Sequence, residues 1–370
     1  MIVPTTYVTA LLVTILSMVC WGSWANTQKL SGKWRFELFY FDYSFGVLLT
    51  AVIAAFTLGS MDPKELSVMD SFAISGIRKI AYGLAGGTVF NLANLLLVSA
   101  IAVSGLAVAF PIGIGLALVV GVILNYWINP QGNPTLLFGG AAVVVAAIVV
   151  DAIAYRIHDR SKEQVHVEPV AQPIATRGGK HDPKARPHQA AKTEAPNKAG
   201  GSVKGIVLSL IAGLLMGSFY PLVEMGKSGD YGLTPYAIAL IFAVAVFLST
   251  FVFNFFFLLV PIHGEPISAF DYFRGTRKQH ALGILGGSIW CVGAISNFVA
   301  SSAPENVQVG PAISYALGQG ATMISALWGL LVWKEFAGAN SRVKTMITAM
   351  LVLFLIGLSM VAIAPLYAHK

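Results

Sequence analysis

Apolar residues along this chain fall in long blocks, separated by short breaks of polar, charged or Gly/Pro-containing sequence. A helix that crosses a bilayer needs about 20 mostly apolar residues, because the hydrocarbon is ~30 Å thick and each residue rises ~1.5 Å. Ten stretches meet that requirement: 7–25, 41–58, 80–102, 106–128 and 136–154, then 206–225, 236–260, 281–301, 309–332 and 345–366. The pattern predicts an all-α membrane protein with ten transmembrane helices. The first stretch is read as a retained helix, since no basic region precedes it and Trp21-Gly22-Ser23-Trp24 continues it without a small-residue cleavage pattern.

One polar segment interrupts the series. Residues 155–204 hold ten Lys/Arg, five Asp/Glu, four His, five Pro and a single aromatic. Such a stretch buries too little apolar surface to offset the entropy of ordering, and it reads as a disordered basic linker. The expected organisation is a first five-helix repeat at 1–154, the linker at 155–204 and a second five-helix repeat at 205–370. Composition agrees: 56% hydrophobic and 11% charged, against roughly 45–50% and 25% in soluble proteins, excludes a soluble domain. The two cysteines, Cys20 and Cys291, lie in apolar runs, so neither a disulfide scaffold nor a Cys-rich metal site is available.

Charge sets the orientation. Alternate breaks carry Lys64, Arg78, Lys79, Lys227 and Lys370 on one side and nineteen Lys/Arg on the other, ten of those in the linker. The positive-inside rule then places the linker in the cytoplasm and both termini outside, in a multi-pass protein of the cell (inner) membrane.

The two halves repeat. Gly83, Gly86, Gly87 and Thr88 recur as Gly283, Gly286, Gly287 and Ser288, and Pro111 recurs as Pro311, all at a spacing of 200. Gly22-Ser23-Trp24 is echoed by Gly217-Ser218-Phe219. Five helices per unit is an odd number, so the second unit must be inserted upside down relative to the first. That is an inverted repeat, on which alternating-access transporters are built. The Gly83/Gly87 and Gly283/Gly287 pairs are small-xxx-small motifs for close helix packing. Pro111 and Pro311, in the interior of their predicted helices, are expected to kink them and free a carbonyl.

The run from Phe41-Asp42-Tyr43-Ser44 to Thr57-Leu58-Gly59, with Ala85-Gly86-Gly87, Asn91 to Asn94 and Gly121 to Tyr126, resembles the plant ureide permeases and their bacterial relatives. These belong to the drug/metabolite transporter superfamily, alongside the bacterial glucose/ribose porters. The resemblance implies ten helices and proton-linked uptake of nitrogenous heterocycles such as allantoin, uracil or xanthine. Plant members can carry a P-loop-like sequence in the central loop; here Gly178-Gly179-Lys180-His181 lacks both the upstream Gly and the Ser/Thr that a phosphate cradle needs. Transport is therefore expected to be secondary, without nucleotide hydrolysis and without a cofactor.

Ionisable groups at membrane depth are costly and point to function. Glu224 shares a helical face with Gly217, Tyr220 and Pro221 and is a candidate for proton coupling, with an interfacial role beside Lys227 as the alternative. Asp42 opens the second helix, where it would cap the dipole or exchange a proton. Asp151 reads as interfacial. For a flat, neutral substrate edged with N–H and C=O groups, amides and aromatic walls matter more. Trp21, Trp24 and Asn26 in the first helix, Asn91 and Asn94 in the third, Tyr220 in the sixth, Trp290 and Asn297 in the eighth, and Tyr315 and Gln319 in the ninth are the candidates. Any one of the amides would serve equally to bond a neighbouring helix.

Other chemistries have no support: the seven His show no metal-ligand spacing, no nucleophile elbow occurs, and the basic charge follows the loops rather than a nucleic-acid face. The expected partners are a small-molecule substrate, protons or another coupling ion, and the bilayer. A proton-coupled sugar importer, a metabolite exporter of the same superfamily and a non-transporting membrane receptor are the alternatives.

Overall fold

The computed structural model describes residues 1–61, 66–166, 203–261, 265–304, 307 and 309–367, and among them every regular element is helical. Among the described residues ten helices are long and apolar enough to span a membrane: α1 Tyr7–Leu30, α2 Phe36–Phe56, α3 Ile77–Ser104, α4 Val108–Ile128, α5 Pro134–His158, α6 Val203–Lys227, α7 Pro235–Leu259, α8 Arg277–Ala300, α9 Pro311–Val332 and α10 Ser341–Tyr367. The helix of α5 runs on to His166, into the stretch expected to be linker. The expected disorder of the remaining linker falls on residues 167–202, outside the described residues.

Local chemistry explains where helices begin. The Thr6 hydroxyl accepts from the Thr9 amide to cap α1, Asn340 caps α10, and Thr276 with Gln279 forms a capping box that opens α8. Pro235 and Pro311 occupy the first turns of α7 and α9, where the missing N–H would have no partner in any case. This corrects the expected kink at Pro311. That residue starts its helix immediately after Gly310, whose φ of 75° no ordinary side chain favours. Pro111 does lie inside a helix.

Two of the ten are not continuous. α1 is interrupted at Trp24, between segments Tyr7–Ser23 and Ala25–Leu30. α9 breaks at Gln319 and Gly320, between Pro311–Gly318 and Ala321–Leu327, and ends in a π-turn at Trp328–Val332. The Gln319 amide reaches back to the carbonyls of Tyr315 and Ala316, a tightening that ends one helical segment before the next begins.

The closest helix pairs join residues before the linker to residues after it: α3 on α6 and α7, α4 on α6, α2 on α8 and α7, α1 on α8, and α5 on α10. Glycine makes several of these approaches possible. A Cβ on Gly83 would stand 2.8 Å from Ile238 Cδ1 of α7, and one on Gly87 would strike the Phe242 carbonyl. Likewise a Cβ on Gly283 would lie 2.5 Å from Asp42 Cβ of α2, and one on Gly287 would strike the Tyr43 carbonyl. The chain ends meet at one end of the bundle, where the Tyr7 hydroxyl donates to the Ala362 carbonyl and the Asn133 amide to the Ala364 carbonyl. We call this the terminal end, and the opposite one, toward which α5 runs on to His166, the linker end.

Candidate functional site

Between the two ends, α1, α2, α3, α7 and α8 bring aromatic side chains together. Trp290 of α8 stacks on Phe90 of α3, with ring centroids 4.3 Å apart. It also lies nearly parallel to Phe242 of α7 at 5.9 Å and to Trp21 of α1 at 6.1 Å. Beside this ladder Trp24 packs on Tyr43, and Tyr43 stacks on Tyr40, each pair 4.9 Å apart. Asn94 donates to the Tyr40 hydroxyl at 3.0 Å. Glycines make room for the Trp21 indole: a Cβ on Gly293 would stand 2.9 Å from its Nε1, and one on Gly318 2.6 Å from its Cζ3.

Two donors in this cluster are buried with no hydrogen-bond partner, Trp21 Nε1 and the Tyr43 hydroxyl. Leaving such a group unpaired costs about 1–3 kcal/mol. Flat π-faces combined with unspent donors suit a planar molecule that carries carbonyl acceptors.

Other sequence-predicted residues are committed elsewhere. Asn91 spends its amide on α7, its nitrogen 2.8 Å from Ser249 Oγ, 3.1 Å from Thr250 Oγ1 and 3.2 Å from the Val246 carbonyl, three acceptors that share its two N–H groups. So Asn91 and Asn94, though three apart, serve different neighbours. The Tyr315 hydroxyl lies 3.2 Å from the carbonyls of both Ala117 and Met216, bracing α9 against α4 and α6. Asn26 accepts from Trp333 Nε1 at 2.6 Å, at the linker end and away from the aromatic ladder. Gln319 sits buried at the break in α9.

A polar network fills the terminal side of the cluster. Asn297 donates to Ser17 Oγ at 3.2 Å and accepts from Ser314 Oγ at 2.9 Å, and the Tyr220 hydroxyl is 2.9 Å from Ser314 Oγ and 3.1 Å from Ser301 Oγ. Lys227 joins it, 2.6 Å from Ser301 Oγ and 3.0 Å from Ser302 Oγ. Its ammonium stands 3.0 Å from Glu224 Oε2, with both side chains over nine-tenths buried. The lysine counted in the sequence as a loop charge is thus the buried counter-ion of Glu224.

Asp42 is not a helix cap. α2 starts at Phe36, so this carboxylate lies beyond the first turn, where the dipole has little effect. It is almost fully buried, accepts from the Tyr272 hydroxyl at 2.6 Å and stands 2.7 Å from His280 Nδ1. Tyr272 belongs to the short 3-10 segment Ala269–Arg274 at the linker end. Burial, then the bond to Asp42, pushes its phenol above the ordinary tyrosine range, so it stays a donor.

Tyr40, Tyr43, Phe90 and Phe242 were not singled out from sequence. Phe90 could have been, since it stands 200 residues before Trp290, at the spacing that relates the glycines. Among the described residues no group of three His, Cys, Asp or Glu is placed to hold a metal ion.

The family model described as ureide permease matches this chain at residues 39–200 and 195–364. Ureide permease 1 of Arabidopsis thaliana is 26% identical over 93% of this chain and 94% of its own length. Ureide permease 2 of the same plant is 25% identical over 94% of each. Probable ureide permease A3 of Vigna unguiculata is 21% identical over 82% of this chain and 88% of its own. A protein of known crystal structure, 17% identical, superposes with a TM-score of 0.54 over 98% of both chains, a likeness of fold alone.

Proposed function

Because this chain belongs to the ureide permease family and is an integral multi-pass membrane protein, we propose that it carries small nitrogenous heterocycles, ureides or nucleobases, across the cell membrane. One observation supports this above the rest: Trp21 Nε1 and the Tyr43 hydroxyl, buried without partners beside parallel aromatic faces, offer donors to the carbonyls of a flat ring. Trp21, Trp24, Tyr40, Tyr43, Phe90, Asn94 and Trp290 form the binding site; Asn297 and Tyr220 order its terminal side.

Movement is by alternating access between two inverted repeats. In support, glycines related by a spacing of 200 sit on corresponding helix pairs, Gly83 and Gly87 between α3 and α7, Gly283 and Gly287 between α8 and α2. The linker end faces the cytoplasm and the terminal end the outside, following the distribution of Lys and Arg. Uptake is coupled to protons at Asp42. In support, the buried Asp42 carboxylate accepts from the Tyr272 phenol and stands beside the His280 imidazole, partners between which a proton can pass as the surroundings open. Glu224, 3.0 Å from the Lys227 ammonium, is the second candidate.

Uptake into vesicles with an imposed inward proton gradient tests the reading, using allantoin, uracil and glucose. Accumulation of the nitrogenous compounds and not of glucose is expected. Trp21→Phe keeps a ring but removes the N–H, and is expected to weaken substrate affinity about tenfold, the worth of one hydrogen bond to a buried donor. Unchanged affinity would remove Trp21 from the site. Asp42→Asn is expected to abolish gradient-driven accumulation while leaving substrate exchange; accumulation equal to the parent would move the coupling elsewhere.

A further inference from the structure

A groove of about 430 Å³ lies between the terminal-end halves of α1, α2 and α8, apart from the aromatic site. Ala54, Ile295, Ser296 and Val299 form its floor, each less than a tenth exposed. Leu16, Ile53 and Val292 flank its mouth and are 45%, 56% and 39% exposed on the outer surface of spanning helices. At the terminal end residues 2–4 cross it as a strap. The Ile2 amide donates to the Leu58 carbonyl at 3.0 Å, and the Tyr236 hydroxyl donates to the Ile2 carbonyl at 2.8 Å. Among the described residues no charged or amide side chain lines the groove, and its polar side chains bear hydroxyls only.

At two counterpart positions the chain carries larger side chains. Gly87 faces Phe242 where Gly287 faces Tyr43, a spacing of 199 between α2 and α7 on which Thr57 answers to Phe256, and at the spacing of 200 that relates α3 to α8, Ser296 answers to Leu96.

We propose that this groove is a lipid site that takes one acyl chain of a bilayer phospholipid from the side, with the headgroup at the terminal-end rim. The occupant follows from the medium. The mouth opens between spanning helices, where acyl chains are the molecules that reach it, and a chain restores the dispersion contacts that the small side chains leave unmade. A ureide would bury its N–H and C=O groups among aliphatic walls with too few partners. Among the described residues the lining carries no charge to select a headgroup, so phosphatidylglycerol and phosphatidylethanolamine should serve alike.

The double variant Thr57→Phe/Ser296→Leu copies the counterpart side chains, and Ser296→Leu alone is the milder test. After purification in mild detergent, native mass spectrometry is expected to find one retained phospholipid on the parent and at least a tenfold lower occupancy on the double variant. Once both are stripped of lipid, adding either phospholipid should raise the melting temperature of the parent and not of the double variant, because only a ligand that binds the folded state stabilises it. Equal lipid occupancy, or an equal rise in melting temperature, would overturn the proposal. So would loss of allantoin or uracil binding in Ser296→Leu with lipid retention intact, which would make the groove part of the transport route.

Discussion

Glu224 and Lys227 show how one buried partner changes the meaning of another. Both are over nine-tenths buried and 3.0 Å apart, so removing one charge leaves the other without compensation, at a cost of about 3–5 kcal/mol. Lys227→Met should therefore lower the melting temperature sharply and reduce folded protein, whereas Glu224→Gln with Lys227→Met should recover most of the loss. Thermal unfolding in detergent reads this directly; a double variant no better than the singles would show that the pair is not what holds these side chains. From sequence, Glu224 was legible as an unusual carboxylate, but Lys227 was not legible as its partner. They are three residues apart at a helix end, where a lysine beside Gly and Ser reads as a loop charge. Asn91 and Asn94 teach the converse. Helical spacing puts them on one side of α3, yet α7 supplies Ser249 and Thr250 to one and α2 supplies Tyr40 to the other.

At the scale of elements, the existence and order of the ten spans could be read, because the thickness of the hydrocarbon sets a minimum length whatever they pack against. The ends were less legible. α2 begins at Phe36 rather than Phe41 because Glu37, which interrupts the apolar run, is neutralised by Arg35 at 2.6 Å. The spacing of 200 correctly drew attention to glycine pairs but misplaced Pro311, since α9 starts later than α4 relative to that spacing. The glycine contacts make a sharp prediction. Gly87→Ala and Gly287→Ala each press a methyl group into a backbone carbonyl of the facing helix, and such overpacking costs about 1–3 kcal/mol. Gly76→Ala, with open space around it and no left-handed φ, is the control. Melting temperatures should fall for the first two and stay within error for the third.

For the whole molecule, fold class and the two-unit sequence pattern were legible, but which helices meet was not, since hydropathy carries no partner information. The structure shows that the closest pairs cross from the first five helices to the last five. Neither half contains its own core. Residues 1–166 and 203–370, produced as separate chains in one cell, should therefore co-purify as a complex, while either alone is degraded; a stable, folded half would contradict this.

The same interleaving bears on how the protein is made. The first five helices leave the ribosome with the glycine face of α3 and the ring of Phe90 unmatched, and their partners on α6, α7 and α8 lie beyond the linker still to be synthesised. For that interval the membrane holds an unfinished surface. Nascent chains stalled at residue 202 should stay open to protease, and resistance should appear only once α8 has been inserted.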